Sequence, residues 1–207
     1  MLKRIFIGLL IFAGIIVLAG AALFIWIRGS APKTDKEFLS QLKGEIVFTR
    51  DENGHYEILK YNFQDQSITK IHQCDGICDH PKWSEDGEKI IFYKPKRDGT
   101  DDIYQLTPMG ADLQLIDNRK LSIEDKYPQV KNIKIKSGDL FVIENGQEKL
   151  IYDAKYDGKF NTGVSRVSWS PDEKYLIFID NRYTIFIADT NGRTTKLTNG
   201  EAFDWKY

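Results

Sequence analysis

Two stretches of this chain can be laid on each other nearly residue for residue. His80-Pro81-Lys82-Trp83-Ser84-Glu85-Asp86-Gly87-Glu88-Lys89-Ile90-Ile91-Phe92 runs on into DDIYQLTPMGADLQLI. Ser168-Trp169-Ser170-Pro171-Asp172-Glu173-Lys174-Tyr175-Leu176-Ile177-Phe178 runs on into TIFIADTNGRTTKLT. A repeat confines a chain to folds in which one supersecondary unit stacks on its copies, and units of about 40–45 residues with four strands each belong to propellers. From Gly44 onward, apolar runs of strand length are separated by Asp, Asn, Gly and Pro, and no stretch keeps a trustworthy helical period. The 13% of aromatic residues points the same way, since aromatic and β-branched side chains suit half-buried strands.

The corners are legible too. Ser170-Pro171-Asp172-Glu173 and Ser84-Glu85-Asp86-Gly87 are turn sequences, in which proline or an acid suits the tight bend between two strands. Asn191-Gly192 and Asn145-Gly146 are two-residue hairpin signals. The tryptophans read as packing between adjacent blades rather than as platforms for a ligand. A worn third copy lies between the two good ones. Tyr127-Pro128-Gln129-Val130 parallels His80–Trp83, Asp139-Leu140-Phe141 parallels Asp102-Ile103-Tyr104, and Glu148–Tyr152 supplies an outer strand, but the Ser-Pro-Asp turn is gone.

The first copy is incomplete in an informative way. Glu45–Thr49, Tyr56–Tyr61 and Ser67–Ile71 match the second, third and fourth strands of a blade, with no inner strand ahead of them. Ala202-Phe203-Asp204-Trp205-Lys206-Tyr207 resembles an inner strand with no blade after it, and Trp205 falls where Trp83, Val130 and Trp169 fall. The last strand is therefore expected to complete the first blade, hiding two raw sheet edges. The fold class expected is all-β: a small propeller of four blades with four strands each, closed by the C-terminal strand and preceded by one transmembrane helix. An eight-bladed dimer and an open half-ring are the alternatives.

The run Trp-Ser-Pro-Asp-Gly, Lys-aliphatic-aliphatic-Phe, Asp-Ile-Tyr, an Asn-Gly turn and a final Leu-Thr resembles the WD40-like PD40 repeat of TolB-like propellers. Here Glu85 stands in place of the proline in one copy and Glu173 in place of the glycine in the other. The resemblance implies a blade framework and protein–protein interaction in the cell envelope. It carries over no partner-binding residues.

Ahead of the repeats, Ile5 to Ile27 contains no charged residue over 23 positions and is flanked by Lys3, Arg4 and Arg28. As a helix this run spans roughly 34 Å, enough for a hydrocarbon core of about 30 Å. Trp26 suits the headgroup boundary. A cleaved signal peptide ending at Ala19-Gly20-Ala21-Ala22 is the rival, but the apolar run continues past that site. The expected organisation is a transmembrane signal-anchor over 1–28, a linker over 29–43 with one helical turn near Phe38-Leu39, and the propeller over 44–207. Basic residues on the two sides do not settle orientation, and the signal-anchor form favours a propeller outside the cytoplasm.

Loops between strands two and three, with the crossings between blades, should gather at one end together with the mouth of the central channel. Long loops on a rigid scaffold are where binding usually resides. The candidate binding residues there are Arg50, His55, Arg97, Asp98, Asp101, Arg182 and Tyr183. Cys74 and Cys78 flank Asp75-Gly76-Ile77 in a crossing; outside the cytoplasm they suit a disulfide, inside it free thiols. With His72 and His80 they form a His-Cys-Cys-His set whose spacing fits no zinc finger, so no metal is expected. No cofactor is expected either, since Walker and dinucleotide fingerprints are lacking. There is no Gly-x-Ser-x-Gly elbow and only three histidines, so no catalytic residue is assigned and the chain is not expected to be an enzyme. A net charge of -1 gives no reason to expect nucleic acid. The expected function is a membrane-anchored, extracytoplasmic scaffold that binds another protein or an envelope component. A carbohydrate-binding or hydrolytic propeller with its site in the channel, and a structural module acting as a homodimer, are the alternatives.

Overall fold

A computed structural model describes residues 33–126, 128–154 and 163–207. The transmembrane segment expected at 1–28 lies outside the described residues, and no described helix is long and apolar enough to cross a membrane. Among the described residues fifteen strands form four antiparallel sheets, consistent with a small propeller. The first holds β1 (Glu45–Glu52), β2 (His55–Asn62) and β3 (Ser67–Gln73). The second holds β4 (Asp79–Trp83), β5 (Ile90–Pro95), β6 (Asp101–Leu106) and β7 (Gln114–Arg119). The third holds β8 (Ile133–Lys136), β9 (Asp139–Glu144) and β10 (Gln147–Tyr152). The fourth holds β11 (Val164–Trp169), β12 (Tyr175–Asp180), β13 (Thr184–Asp189) and β14 (Thr194–Asn199).

The last strand, β15 (Ala202–Lys206), pairs antiparallel with β1, setting Ile46 opposite Trp205 and Phe48 opposite Phe203, so the first sheet runs β15-β1-β2-β3. The two backbones meet closely where this pairing starts. Gly44 has φ +86°, and a Cβ there would collide with the Lys206 carbonyl oxygen.

Sheet-to-sheet packing explains the sequence pattern. The middle strands are covered on both faces, so β12 and β13 read as continuous apolar runs, while the outer strand β7 is exposed throughout. One core joins the first and fourth sheets through Ile46, Phe48, Leu59, Ile177, Ile179, Ile185 and Trp205. A second joins the first and second through Val47, Ile58, Trp83, Ile90 and Phe92. A third joins the third and fourth through Leu140, Val142, Leu176, Phe178 and Phe186. Trp83 and Trp205 lie buried in these seams, and Trp169 packs against the third with its indole N–H on the Lys131 carbonyl. No buried apolar cluster among the described residues joins the second and third sheets.

The Ser-x-Asp corners are held by their own side chains. Ser84 Oγ and Ser170 Oγ donate to Asp86 and Asp172, and accept from the Lys89 and Tyr175 amides five residues on. Gly87 takes φ +73° in the first corner; Glu173 takes φ +57° in the second. The stretch expected as a linker also contributes to the core. Helix α1 (Lys36–Ser40), capped by Asp35, buries Phe38 and Leu39 with Leu42 between the first and fourth sheets. A second short helix, α2 (Ile123–Lys126), lies in the crossing between the second and third sheets.

The expectation of four strands in every blade is corrected at the third. Among the described residues that sheet has three, in the order β10-β9-β8. Pro128–Val130, read as part of an inner strand, forms none; Tyr127 lies outside the described residues. Pro128 brings no amide donor to a ladder. Asn132, at φ +59°, then turns the chain just before β8, so β8 takes the place of the second strand of a blade.

Candidate functional site in the channel

The inner strands β15, β4 and β11 converge. The Trp83 amide on β4 donates to Asp204 Oδ2 on β15 at 2.8 Å, and Arg166 on β11 reaches His80 on β4. On the side of the third sheet no described inner strand joins them, and a cavity of about 570 Å³ lies there. Its apolar wall includes Pro128, Val130, Ile133, Ile135, Val167 and Phe203. Its polar wall includes His80, Lys82, Asp125, Lys126, Arg166 and Asp204. Mostly apolar lining with a few convergent polar groups is the usual make-up of a ligand site.

Two irregular strands aim the central polar groups. β4 shifts register between Asp79 and Lys82, and β11 between Val164 and Arg166. Such bulges redirect side chains. His80 sits in the first with φ +50°, a conformation that costs a non-glycine residue about 1 kcal/mol or more. Its ring is buried between Asp79 and Arg166: Nδ1 lies 2.8 Å from Asp79 Oδ2, and Nε2 lies 3.0 Å from Arg166 Nη2. A guanidinium can only donate, so Nε2 is the accepting nitrogen and the ring proton sits on Nδ1, facing the carboxylate. The result is a fixed row, Asp79–His80–Arg166. The lone pair a general base would use is occupied by Arg166, which makes the row a positioning device.

Burial acts to raise the Asp79 carboxyl, but hydrogen bonding from His80, aided by the charge of Arg166, holds it below the usual carboxylate range. Glu201 is pushed the other way, first by burial and then by the charges of Asp51 and Asp79, against the pull of Arg166 and a hydrogen bond with Tyr56. Burial also lifts Asp204, against amide hydrogen bonds from Trp83 and Trp205 and the charge of Lys82. Lys126 is committed to Asp101, at 2.8 Å. Lys82 is exposed, stands 5.6 Å over the Tyr93 ring, and has no carboxylate within ion-pair distance among the described residues.

None of the loop residues expected to bind lines this cavity. Arg50 is held by Glu52 and Glu57 at 3.3 and 3.1 Å, and Arg182 by Asp180 at 3.1 Å. Asp98 accepts from the Thr100 amide and hydroxyl, closing its own turn. His55, Arg97 and Tyr183 are exposed. Asp101 is buried and pairs with Lys126, which lines the cavity. Asp79, His80, Lys82, Lys126, Arg166 and Asp204 did not stand out as binding residues in the sequence. The signal that points to them is indirect: the lost corner in the worn copy marks the sheet that has no described inner strand, and the cavity lies on that side.

Cys74 and Cys78 are joined in a disulfide, buried against Val47, Ile58 and Trp83. His72 packs its ring beside Phe92 at 5.7 Å, away from the row that holds His80. Among the described residues no group of three or more His, Cys, Asp or Glu is placed to hold a metal ion.

No family model and no curated protein sequence matches the chain. Among solved structures it is similar to the tricorn protease, with TM-score 0.44 and 11% identity, over 77% of this chain and 27% of that one. TolB from Acinetobacter baumannii gives TM-score 0.29 and 14% identity, over 85% and 45%. An oligogalacturonate lyase in complex with manganese gives 0.29 and 11%, over 70% and 42%. The chain spans less than half the length of each, and likenesses this distant transfer no activity.

Proposed function

We propose that this is a TolB-like binding propeller, anchored by residues 5–27, with its channel outside the cytoplasm, where it holds part of another protein or an envelope component. The observation that carries the reading is the channel cavity, walled by apolar side chains on one side and by Lys82 and the Asp79–His80–Arg166 row on the other. Fixed polar groups beside an apolar wall orient a bound group without reacting with it. The test is a photo-crosslinking residue in place of Lys82, inside the cavity, and of Met109, exposed and outside it. In cells, one adduct band from position 82 and none from 109 is expected. Equal adducts from both positions, or none from 82, would overturn the reading. A loop variant, Arg97→Ala with Arg182→Ala, is expected to keep the adduct, and protease access in intact cells checks the side of the membrane.

A second reading, a carbohydrate-active site in the central channel, is favoured by one observation. Glu201 is held protonated to higher pH while Asp79 is held ionised to lower pH, a separation that acid–base pairs use. Turnover of an acidic oligosaccharide that Glu201→Gln abolishes would establish it; no turnover with wild type would remove it.

A further inference from the structure

The cavity has one wall made of backbone. β8 is the inner edge of the third sheet, and no described strand pairs with that edge. The register sets Ile133 opposite Val142 and Ile135 opposite Leu140, and the Ile143 amide bonds the Asn132 carbonyl. In an antiparallel ladder, residues that bond the partner strand alternate with residues whose N–H and C=O point outward. Asn132 bonds inward, so the amides and carbonyls of Ile133 and Ile135 point to the open side, where both residues line the cavity. An edge with unpaired donors and acceptors is a template for another strand. The second, fourth and first sheets each fill this position with a strand of their own: β4, β11 and β15.

We propose that the inner edge of β8 takes up an extended segment of a partner protein, with alternating apolar and acidic side chains, as the fourth strand of the third sheet. This rests on the channel-binding reading above and names its partner. A strand laid there turns successive side chains to opposite faces. Ile133 and Val142 belong to the core shared with the fourth sheet, and Val167 lines the same side, so one set of the guest's side chains meets an apolar wall. The other set faces the second sheet, where Lys82 stands exposed on its tyrosine with no carboxylate in ion-pair distance among the described residues. Carboxylates at those alternate positions complement this wall. Main-chain bonds to β8 supply affinity, and the two walls supply selectivity, as in other cases of strand addition.

The test uses the full-length chain in detergent micelles and fluorescent acetyl-Val-Glu-Val-Glu-Val-amide as probe. Three counterparts are compared: one with both glutamates replaced by lysine, and two with N-methylated amides, at odd or at even residues. A guest strand bonds β8 through one of its two edges, so one methylation pattern should abolish binding and the other should leave it within about three-fold. The lysine peptide, and the Lys82→Glu protein with the original peptide, should each bind at least ten-fold more weakly. Ile135→Pro, which removes an outward amide from an edge strand, should also lose the peptide. Equal binding of the two methylated peptides, or no binding of the original, would overturn the proposal, and neither outcome depends on a variant folding. Displacement of a chain dimer by the peptide would assign the edge to a second copy and overturn the choice of partner. The in-cell adduct at position 82 reads the parent proposal separately: an adduct together with indifference to methylation leaves channel binding standing without strand addition.

Discussion

The Trp83 amide on the first strand of the second sheet donates to Asp204 on the last strand of the chain, 2.8 Å away across 121 positions of sequence. That bond ties the closing strand β15 to the neighbouring sheet as well as to β1. Around it, Lys206 lies 3.8 Å over the Trp83 ring and donates to the Gly87 carbonyl at 2.9 Å. The C-terminal strand thus acts at the centre of the assembly.

The pH response of Asp204 follows from its burial. Its carboxyl is held above the unfolded value, so protonation favours the folded state, and the associated stability is lost as pH rises through the raised folded value. Asp204→Asn keeps an acceptor for the Trp83 amide and carries no charge. It should be at least as stable as wild type at pH 7 and lose the excess as pH falls towards 4. Asp204→Ala leaves a buried amide unmatched and should cost about 1–3 kcal/mol. Urea unfolding at both pH values measures each; an asparagine variant weaker than alanine would exclude this account.

Closure can be broken from the other side. At Gly44 a side chain meets the Lys206 carbonyl oxygen, and the φ of +86° disfavours any L residue. Gly44→Val should therefore cost more than about 2 kcal/mol. A chain truncated after Glu201 should lose the folded state altogether, with the apolar faces of β1 exposed. Tryptophan fluorescence and size-exclusion chromatography read both, and a compact, cooperatively unfolding truncation would contradict the role given to β15.

The repeat exposed the sheet framework in the sequence because its signals are local. Corner side chains bond their own turns at Ser84 and Ser170, and buried strands such as β12 show as apolar runs. Closure was legible for a related reason, as a blade short of one strand and a strand short of its blade. The third sheet was harder. β8 reads Ile-Lys-Ile-Lys and has no described strand on its inner edge, so its sequence carries the weak pattern of a half-covered strand. The site was hardest. His80 and Arg166 are 86 positions apart and meet because two bulges aim them, and a bulge leaves no signature of its own here. Of the loop residues chosen from sequence, Arg50, Asp98, Asp101 and Arg182 hold their own turns and neighbours and lie outside the cavity.

Glu173 offers a gain. It occupies the corner position that Gly87 fills in the other good copy, at φ +57°, where an L side chain pays a steric penalty that glycine avoids. Glu173→Gly should raise stability by about 1 kcal/mol, read as an upward shift of a few degrees in Tm. The reciprocal change, Gly87→Glu, should lower it by a similar amount. A loss of stability from Glu173→Gly would mean that its side chain contributes more than its backbone strain costs.

The Cys74–Cys78 disulfide links stability to the redox state of the compartment. It closes a loop with a sequence separation of 4, beneath the core that joins the first and second sheets. A loop this short restrains the unfolded chain by only about 2 kcal/mol. Replacing both cysteines with alanine should cost about that much, with some further loss from the buried sulfur contacts, and should leave the fold intact. The proposed extracytoplasmic side also predicts the redox state in cells, since disulfides persist in oxidising compartments. Chains trapped with acid and then denatured in a thiol-reactive polyethylene glycol maleimide should show no mass shift without reductant and two additions after it. Two additions without reductant would place the thiols in a reducing compartment and move the channel, with whatever it binds, to the cytoplasmic side.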